Sequence, residues 1–186
     1  MLIGYTLSPK SCNYAMFYGQ DAPSDLFCAK CDHCLSWEYS PEKIRVEKSR
    51  QYDYSYTQDM QDIFSEKFVA YCKMEYGFEE FKEIEGGNEK FYCPNFSRTK
   101  LFDYRKRNTE FKNKCNVCGN YHEIIGAHPS YLLDKSPIED GFYFSDIYFG
   151  SGRSKHRLIF IGAKWKEQIE RQRFRGLWFE PILDGE

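Results

Sequence analysis

Two stretches concentrate the reactive side chains of this chain: FCAKCDHC, Phe27 to Cys34, and CNVCGNY, Cys115 to Tyr121. Thiols at C-x-x-C spacing can chelate a metal, cycle as a redox dithiol or form structural disulfides, and the compartment decides much of the choice. The start, MLIGYTLSPK, has neither a cationic n-region nor a long apolar h-region, and no window reaches the ~18 apolar residues that a bilayer span requires. A cytoplasmic location is therefore expected, where paired thiols are more often metal ligands than disulfides. A thioredoxin-like centre would want a single pair leading from a strand into a helix. Here there are two pairs, and neither precedes a strong amphipathic run.

The second pair, Cys115 and Cys118, is followed by Gly119 and Asn120, which reads as a zinc knuckle. In such a turn both sulfurs point at one ion, and the residue after the second cysteine often takes positive φ, which glycine adopts without steric cost. The same criterion ranks the upstream cysteines. If Cys28 and Cys31 are the ligands, the following residue is Asp32, a type that tolerates the left-handed region; if Cys31 and Cys34 are, it is Leu35, which does not. Cys28 and Cys31 are preferred, with Cys34 as the alternate ligand and His33 as a bystander. The expectation is one closed site for structural Zn2+ made by Cys28, Cys31, Cys115 and Cys118. A tetrahedral ion with four thiolates has no open position for a reactive water, so the metal staples rather than catalyses. Cys12, Cys72 and Cys93 stand alone and read as small buried hydrophobes.

The elements that must hold these pairs follow from hydrophobic periodicity. In DMQDIFSEKFVAYCKMEYG, Met60, Ile63, Phe64, Phe68, Tyr71 and Cys72 recur at three and four residues, which predicts a helix with Thr57 as N-cap and Gly77 as C′ stop. FEEFKEI, HEIIGAH, GFYFSDIYFG, RLIFIG and LWFEPIL read as strands, the last with Pro181 allowed only near an edge. WEYSPEKIRVEK and KFYCPNFSRTKLFDYRKR also show strand-like writing. AKWKEQIERQRFR predicts a helix ending before Gly176, and EIEGGNEK a loop. With 186 residues and no low-complexity linker, the chain is expected to be one α+β domain spanning 1–186. A weak internal similarity suggests two halves, 1–90 and 91–186, each a Cys-pair knuckle followed by strand, helix and strand.

Composition bounds the function. The 26 basic and 28 acidic residues balance to a formal charge of −2, which gives no overall electrostatic case for wrapping nucleic acid. Aromatic residues make up 18% of the chain, a store of side chains suited to cores and interfaces alike. HEIIGAH is not H-E-x-x-H, because Gly126 stands four residues beyond His122 and His128 six, so the two rings would leave a helix in different directions. FGSGRSKHR lacks the G-K-[ST] ending of a phosphate loop and reads as a strand connector. No catalytic constellation emerges, so an enzyme is not expected. An acidic run, Glu75, Glu79, Glu80 and Glu83 with Phe78 and Phe81 between them, is the candidate partner-binding surface, charge steering encounter and rings supplying buried area.

Two separated C-x-x-C pairs, the second as CNVCG, followed by SDIYFGSGRSKHRLIFIGAKWKEQIERQRFRGLWFEPI, make the chain resemble the double-CXXCG-motif family of bacterial immunity proteins. The matching positions are Asp146, Ile147 and Tyr148, the strand from Leu158 to Ile161, and Gly176, Leu177, Trp178, Phe179, Pro181 and Ile182. The first pair departs from the pattern, with Asp32 or Leu35 at the glycine position. The resemblance implies a protein that binds a cognate secreted toxin domain and blocks it, with no catalytic residues to carry over and no membrane partner. The alternative of a different class is a zinc-ribbon module binding RNA or DNA through the basic helix with Lys164, Lys166, Arg171, Arg173 and Arg175 and through the loop residues Arg153, Lys155, His156 and Arg157.

Overall fold

The computed structural model describes residues 1–19, 22–46, 52–87 and 89–184. Its strands form two sheets. The larger has seven strands: β1 (Leu2–Pro9) lies between β11 (Leu177–Leu183) and β10 (His156–Ile161), followed by β9 (Phe142–Ser151), β8 (Tyr121–Ile125) and β7 (Glu110–Lys114), with β6 (Thr99–Lys100) parallel to β9. The smaller has the order β2 (Tyr54–Tyr56), β3 (Asp62–Ser65), β5 (Lys90–Pro94), β4 (Phe81–Glu85). Helices α1 (Glu66–Tyr76), α2 (Tyr104–Arg107) and α3 (Ala163–Arg171) complete an α+β architecture. No helix among the described residues is long and apolar enough to cross a membrane.

Both sheets contribute to one shared core cluster, and each also packs a second cluster of its own. Tyr54, Phe64 and Tyr92 from the small sheet, Phe68, Val69 and Cys72 from α1, Leu7, Phe142, Ile159 and Ile161 from the large sheet, and Trp165 and Ile169 from α3 form a single buried cluster. Rings are its main material: Phe64 stacks on Tyr54 at 4.3 Å, Phe96 on Phe142 at 5.1 Å, and Tyr76 on Trp165 at 4.1 Å between centroids. Offset and edge-on ring pairs add about 0.5–1.5 kcal/mol each beyond burial.

The chain does not divide into the expected halves 1–90 and 91–186. That boundary falls at the first residue of β5, and β1, from the front of the chain, pairs with both β10 and β11 from the back. Two strand–helix–strand units nevertheless share a topology. In the small sheet β3, α1 and β4 give two parallel strands with antiparallel β5 inserted between them, and β2 flanks β3. In the large sheet β10, α3 and β11 do the same with β1 inserted, and β9 flanks β10. The inserted strand follows its unit in one case and comes from the other end of the chain in the second.

Local boundaries shift for identifiable reasons. The first helix begins at Glu66 rather than near Met60, because Asp62–Ser65 is paired on both sides as β3 and Ser65 Oγ accepts the Phe68 N–H at 3.2 Å as the actual N-cap. Thr57 closes a turn instead, its Oγ1 accepting the Gln61 N–H at 2.9 Å, and Met60 sits in that turn at φ 63°. Gly77 ends α1 at φ 60°, as expected. Pro181 lies on β11, an outer strand of its sheet, where its missing N–H breaks no ladder. In WEYSPEKIRVEK the described part, up to residue 46, contributes only a bridge between Lys43 and Glu85, and residues 47 and 48 lie outside the described residues. KFYCPNFSRTKLFDYRKR yields β5 and β6 as expected, but its end turns into α2, capped by Asp103 accepting the Lys106 N–H.

Candidate metal centre

Cys28, Cys31, Cys115 and Cys118 converge, with all four Sγ atoms within 4.8 Å of one another. Cys28 Sγ lies 3.9 Å from Cys115 Sγ, and Cys31 Sγ 3.5 Å from Cys118 Sγ, each pair spanning 87 residues of sequence. A tetrahedral ion with metal–sulfur bonds near 2.3 Å sets its sulfurs about 3.8 Å apart. The four thiols therefore fit one metal ion without rearrangement of the chain.

The two turns that present them are built alike. In the first, the Cys28 carbonyl accepts the Asp32 N–H at 2.8 Å and the Cys28 N–H donates to the His33 carbonyl at 2.9 Å. In the second, the Cys115 carbonyl accepts the Gly119 N–H at 3.0 Å and the Cys115 N–H donates to the Asn120 carbonyl at 2.8 Å. Asp32 and Gly119 both take positive φ, 56° and 75°. The left-handed backbone that favours Asp32 over Leu35 at this position is present, and Cys34 lies outside the four-thiol cluster. Cys34 is fully buried, with its thiol 3.3 Å from the Ser36 carbonyl and 3.8 Å from the Tyr18 hydroxyl. A bridge from Phe27 to Cys34 pins the first turn, and the second is the tip of the β7–β8 hairpin.

Backbone amides prepare the first sulfur of each pair for ionisation. N–H groups of Cys118 and Val117 hold the Cys115 thiol down to about 6, and those of Lys30 and Cys31 likewise lower Cys28. Cys31 is pushed up, burial being the largest cause. A bound dication would favour the thiolate at all four positions.

Charge compensation comes from an unexpected element. Lys155, with no exposed surface, reaches from the β9–β10 turn to donate to the Tyr121 carbonyl and to His33 Nδ1 at 3.1 Å. Burial disfavours its charge, while negative charge on the Cys31 and Cys118 sulfurs would favour it. His33 thereby stays neutral, its imidazole lowered to about 4 by burial and then by Lys155. His122 Nδ1 donates to the Cys31 carbonyl at 3.0 Å, Lys30 to Asn116 Oδ1 at 2.6 Å, and Arg153 pairs with Asp32 at 3.0 Å while lying over the Phe27 ring. FGSGRSKHR reads as a strand connector, yet Arg153 and Lys155 back the cysteine cluster. A lysine three residues after a Gly-x-Gly turn carries no signal for this, because its target lies in other strands.

The same placement changes the basic constellation offered for nucleic acid. Lys155 is buried, Arg153 is paired with Asp32, and Arg157 lies over Phe144 and Tyr148 at 4.4 and 5.4 Å. On α3, Lys164, Lys166 and Arg171 pair with Asp140, Glu170 and Glu167.

In the acidic run the two rings turn inward. Phe78 is buried against Phe96, Phe142 and Trp165, and Phe81 packs edge-on to Phe64. The left-handed Gly77 reverses the chain, and apolar Phe78 drops under α1 into the core. Glu75, Glu79 and Glu83 remain exposed, while Glu80 is half-buried and accepts the Ser97 hydroxyl at 2.6 Å. Glu83 is paired with Lys90 at 2.9 Å. Among the lone cysteines, Cys72 and Cys93 are buried and Cys12 is half-buried.

Comparison with protein-family models, with curated proteins and with solved structures finds no match to this chain.

Proposed function

We propose that this chain is a cytoplasmic, non-catalytic immunity protein, stapled by one structural Zn2+, that neutralises a cognate secreted toxin by occluding it. The observation that carries the reading is the closed four-sulfur cluster. Four thiolates saturate a tetrahedral zinc, leaving no position for a reactive water, so the ion's contribution is shape. Zinc suits the donor set because soft thiolates in a tetrahedron select it over the hard divalent cations. The clamp ties the β7–β8 hairpin to the segment after Phe27 and stiffens the surface around it. A rigid surface suits inhibition by occlusion, because little ordering entropy is lost on binding.

The resemblance in the cysteine pairs and the C-terminal segment supports a protein partner over nucleic acid, and the inward-turned bases of the β9–β10 turn agree with it. The candidate contact surface keeps its charge, Glu75 and Glu79, but not its rings. Met74, 80% exposed beside Glu75, is an apolar side chain that remains at the surface next to that charge.

The test is co-expression with the product of the adjacent reading frame. A stable complex that abolishes the toxicity of that product supports the reading. No complex, together with salt-sensitive retardation of RNA or DNA by the isolated chain, would replace it with nucleic-acid binding.

A further inference from the structure

The two sheets leave a cleft of about 600 Å³ between them, on the far side of Trp37 from the cysteine cluster's His33. Ligand sites for small molecules span roughly 300–1,000 Å³. Its walls are aromatic. Trp37, from the segment after the first knuckle, stacks on Tyr148 of β9 at 3.9 Å with ring planes 21° apart, and Phe96 and Phe144 face the same space.

Two groups in this cleft are incompletely matched: the Arg157 guanidinium has no ion pair and one ring nitrogen of His156 has no hydrogen bond. Arg157 is half-buried, and none of the ion pairs among the described residues includes it. It donates from Nε to the Ser145 carbonyl at 2.5 Å and from one terminal nitrogen to Thr99 Oγ1 at 2.8 Å, which orient the fork without neutralising it. Tyr148 adds a side-chain hydrogen bond and the larger attraction, and Asp146 a smaller one, its carboxylate engaged by the Phe102 N–H. Next along the strand, His156 Nδ1 is buried with no hydrogen-bond partner in the protein. A desolvated cation without an anion is costly, and so is a buried ring nitrogen left unpaired. Such groups are commonly completed by a ligand.

We propose that the inter-sheet cleft binds a small planar aromatic monocarboxylate, its carboxylate on Arg157 and its ring along the Trp37–Tyr148 wall. The charge count selects a monoanion. Among the described residues Arg157 is the one fixed cation lining the cleft, Glu38 stands at its rim, burial keeps the Asp62 carboxyl protonated below about pH 7, and burial keeps His156 neutral. A phosphate dianion would exceed that single guanidinium and meet Glu38. The planar body follows from rings that offer stacking faces, and a guanidinium fork matches a carboxylate bidentately. This site does not depend on the toxin reading.

The test uses the zinc-loaded full chain with 2-naphthoate as probe, following the Trp37 indole and Arg157 Nε resonances by NMR. The expected result is a saturable shift of both, with 2-naphthamide and 2-naphthyl phosphate each at least tenfold weaker. Arg157→Gln should abolish the preference for the acid over the amide. If that variant does not fold, the acid-to-amide ratio in the unaltered protein decides. Equal binding of acid and amide, tighter binding of the phosphate, or shifts that stay linear with concentration would each overturn the proposal, the last meaning that the cleft holds solvent only.

Discussion

Lys155 Nζ lies 3.1 Å from His33 Nδ1, two residues beyond Cys31, although 122 residues separate the pair in sequence. The contact places a fully buried cation against the inner side of a cluster that carries a net charge of about −2 once four thiolates hold a dication. Replacing Lys155 by Met should keep the fold but speed removal of the metal by a chelator. Outer-shell changes typically lower metal affinity 10–100-fold, and that is the loss expected. Extraction kinetics equal to those of the parent would show that Lys155 has no such role.

Elemental analysis should find one zinc per chain. Cys115→Ser should release it and lower stability by more than about 4 kcal/mol, a size that single substitutions reach through mechanisms such as metal loss. Cys34→Ser should leave the zinc content unchanged, since its thiol faces Tyr18 and Ser36. Zinc retained in Cys115→Ser, or lost in Cys34→Ser, would contradict the ligand assignment.

Asp62 gives a pH signature. Its carboxyl is raised by burial to about 7, with the Tyr54 hydroxyl donating to it at 2.7 Å. From about pH 4 to pH 7 the folded chain holds a proton that the unfolded chain has released, so this group makes stability fall as pH rises through that window. Asp62→Asn keeps an acceptor for Tyr54 and removes the titration. Melting curves should show the variant gaining on the parent between pH 5 and pH 8. A constant difference across that range would refute the assignment.

Gly176 marks where backbone meets backbone. At φ 92°, a Cβ there would stand 2.3 Å from the Tyr54 carbonyl oxygen. Gly176→Ala combines a strained φ with that overlap and should cost more than about 2 kcal/mol, read as a lower midpoint in urea. Gly77→Ala, with nothing near its Cβ, isolates the φ penalty alone and should cost about 1–2 kcal/mol. Equal losses for the two would mean that the Tyr54 approach relaxes freely.

Within the local reach of the chain, the sequence by itself determined a good deal. The choice of Cys28 and Cys31 followed from Asp32 tolerating the left-handed region, and Gly119, Gly77 and the edge position of Pro181 followed from equally local rules. The strands Leu177–Leu183 and Phe142–Ser151 were legible from their apolar patterning. The start of α1 was not, because Ile63 and Phe64 fit a helical stripe as well as a strand, and pairing with β2 and β5 decided between them. Tertiary structure alone decided that β1 enters between β10 and β11, that Phe78 and Phe81 belong to the core, and that Lys155 points inward to the cysteines while Arg157 faces the cleft. Periodicity records which face of an element is apolar. It carries no record of which distant surface will cover that face, or of the charge waiting there.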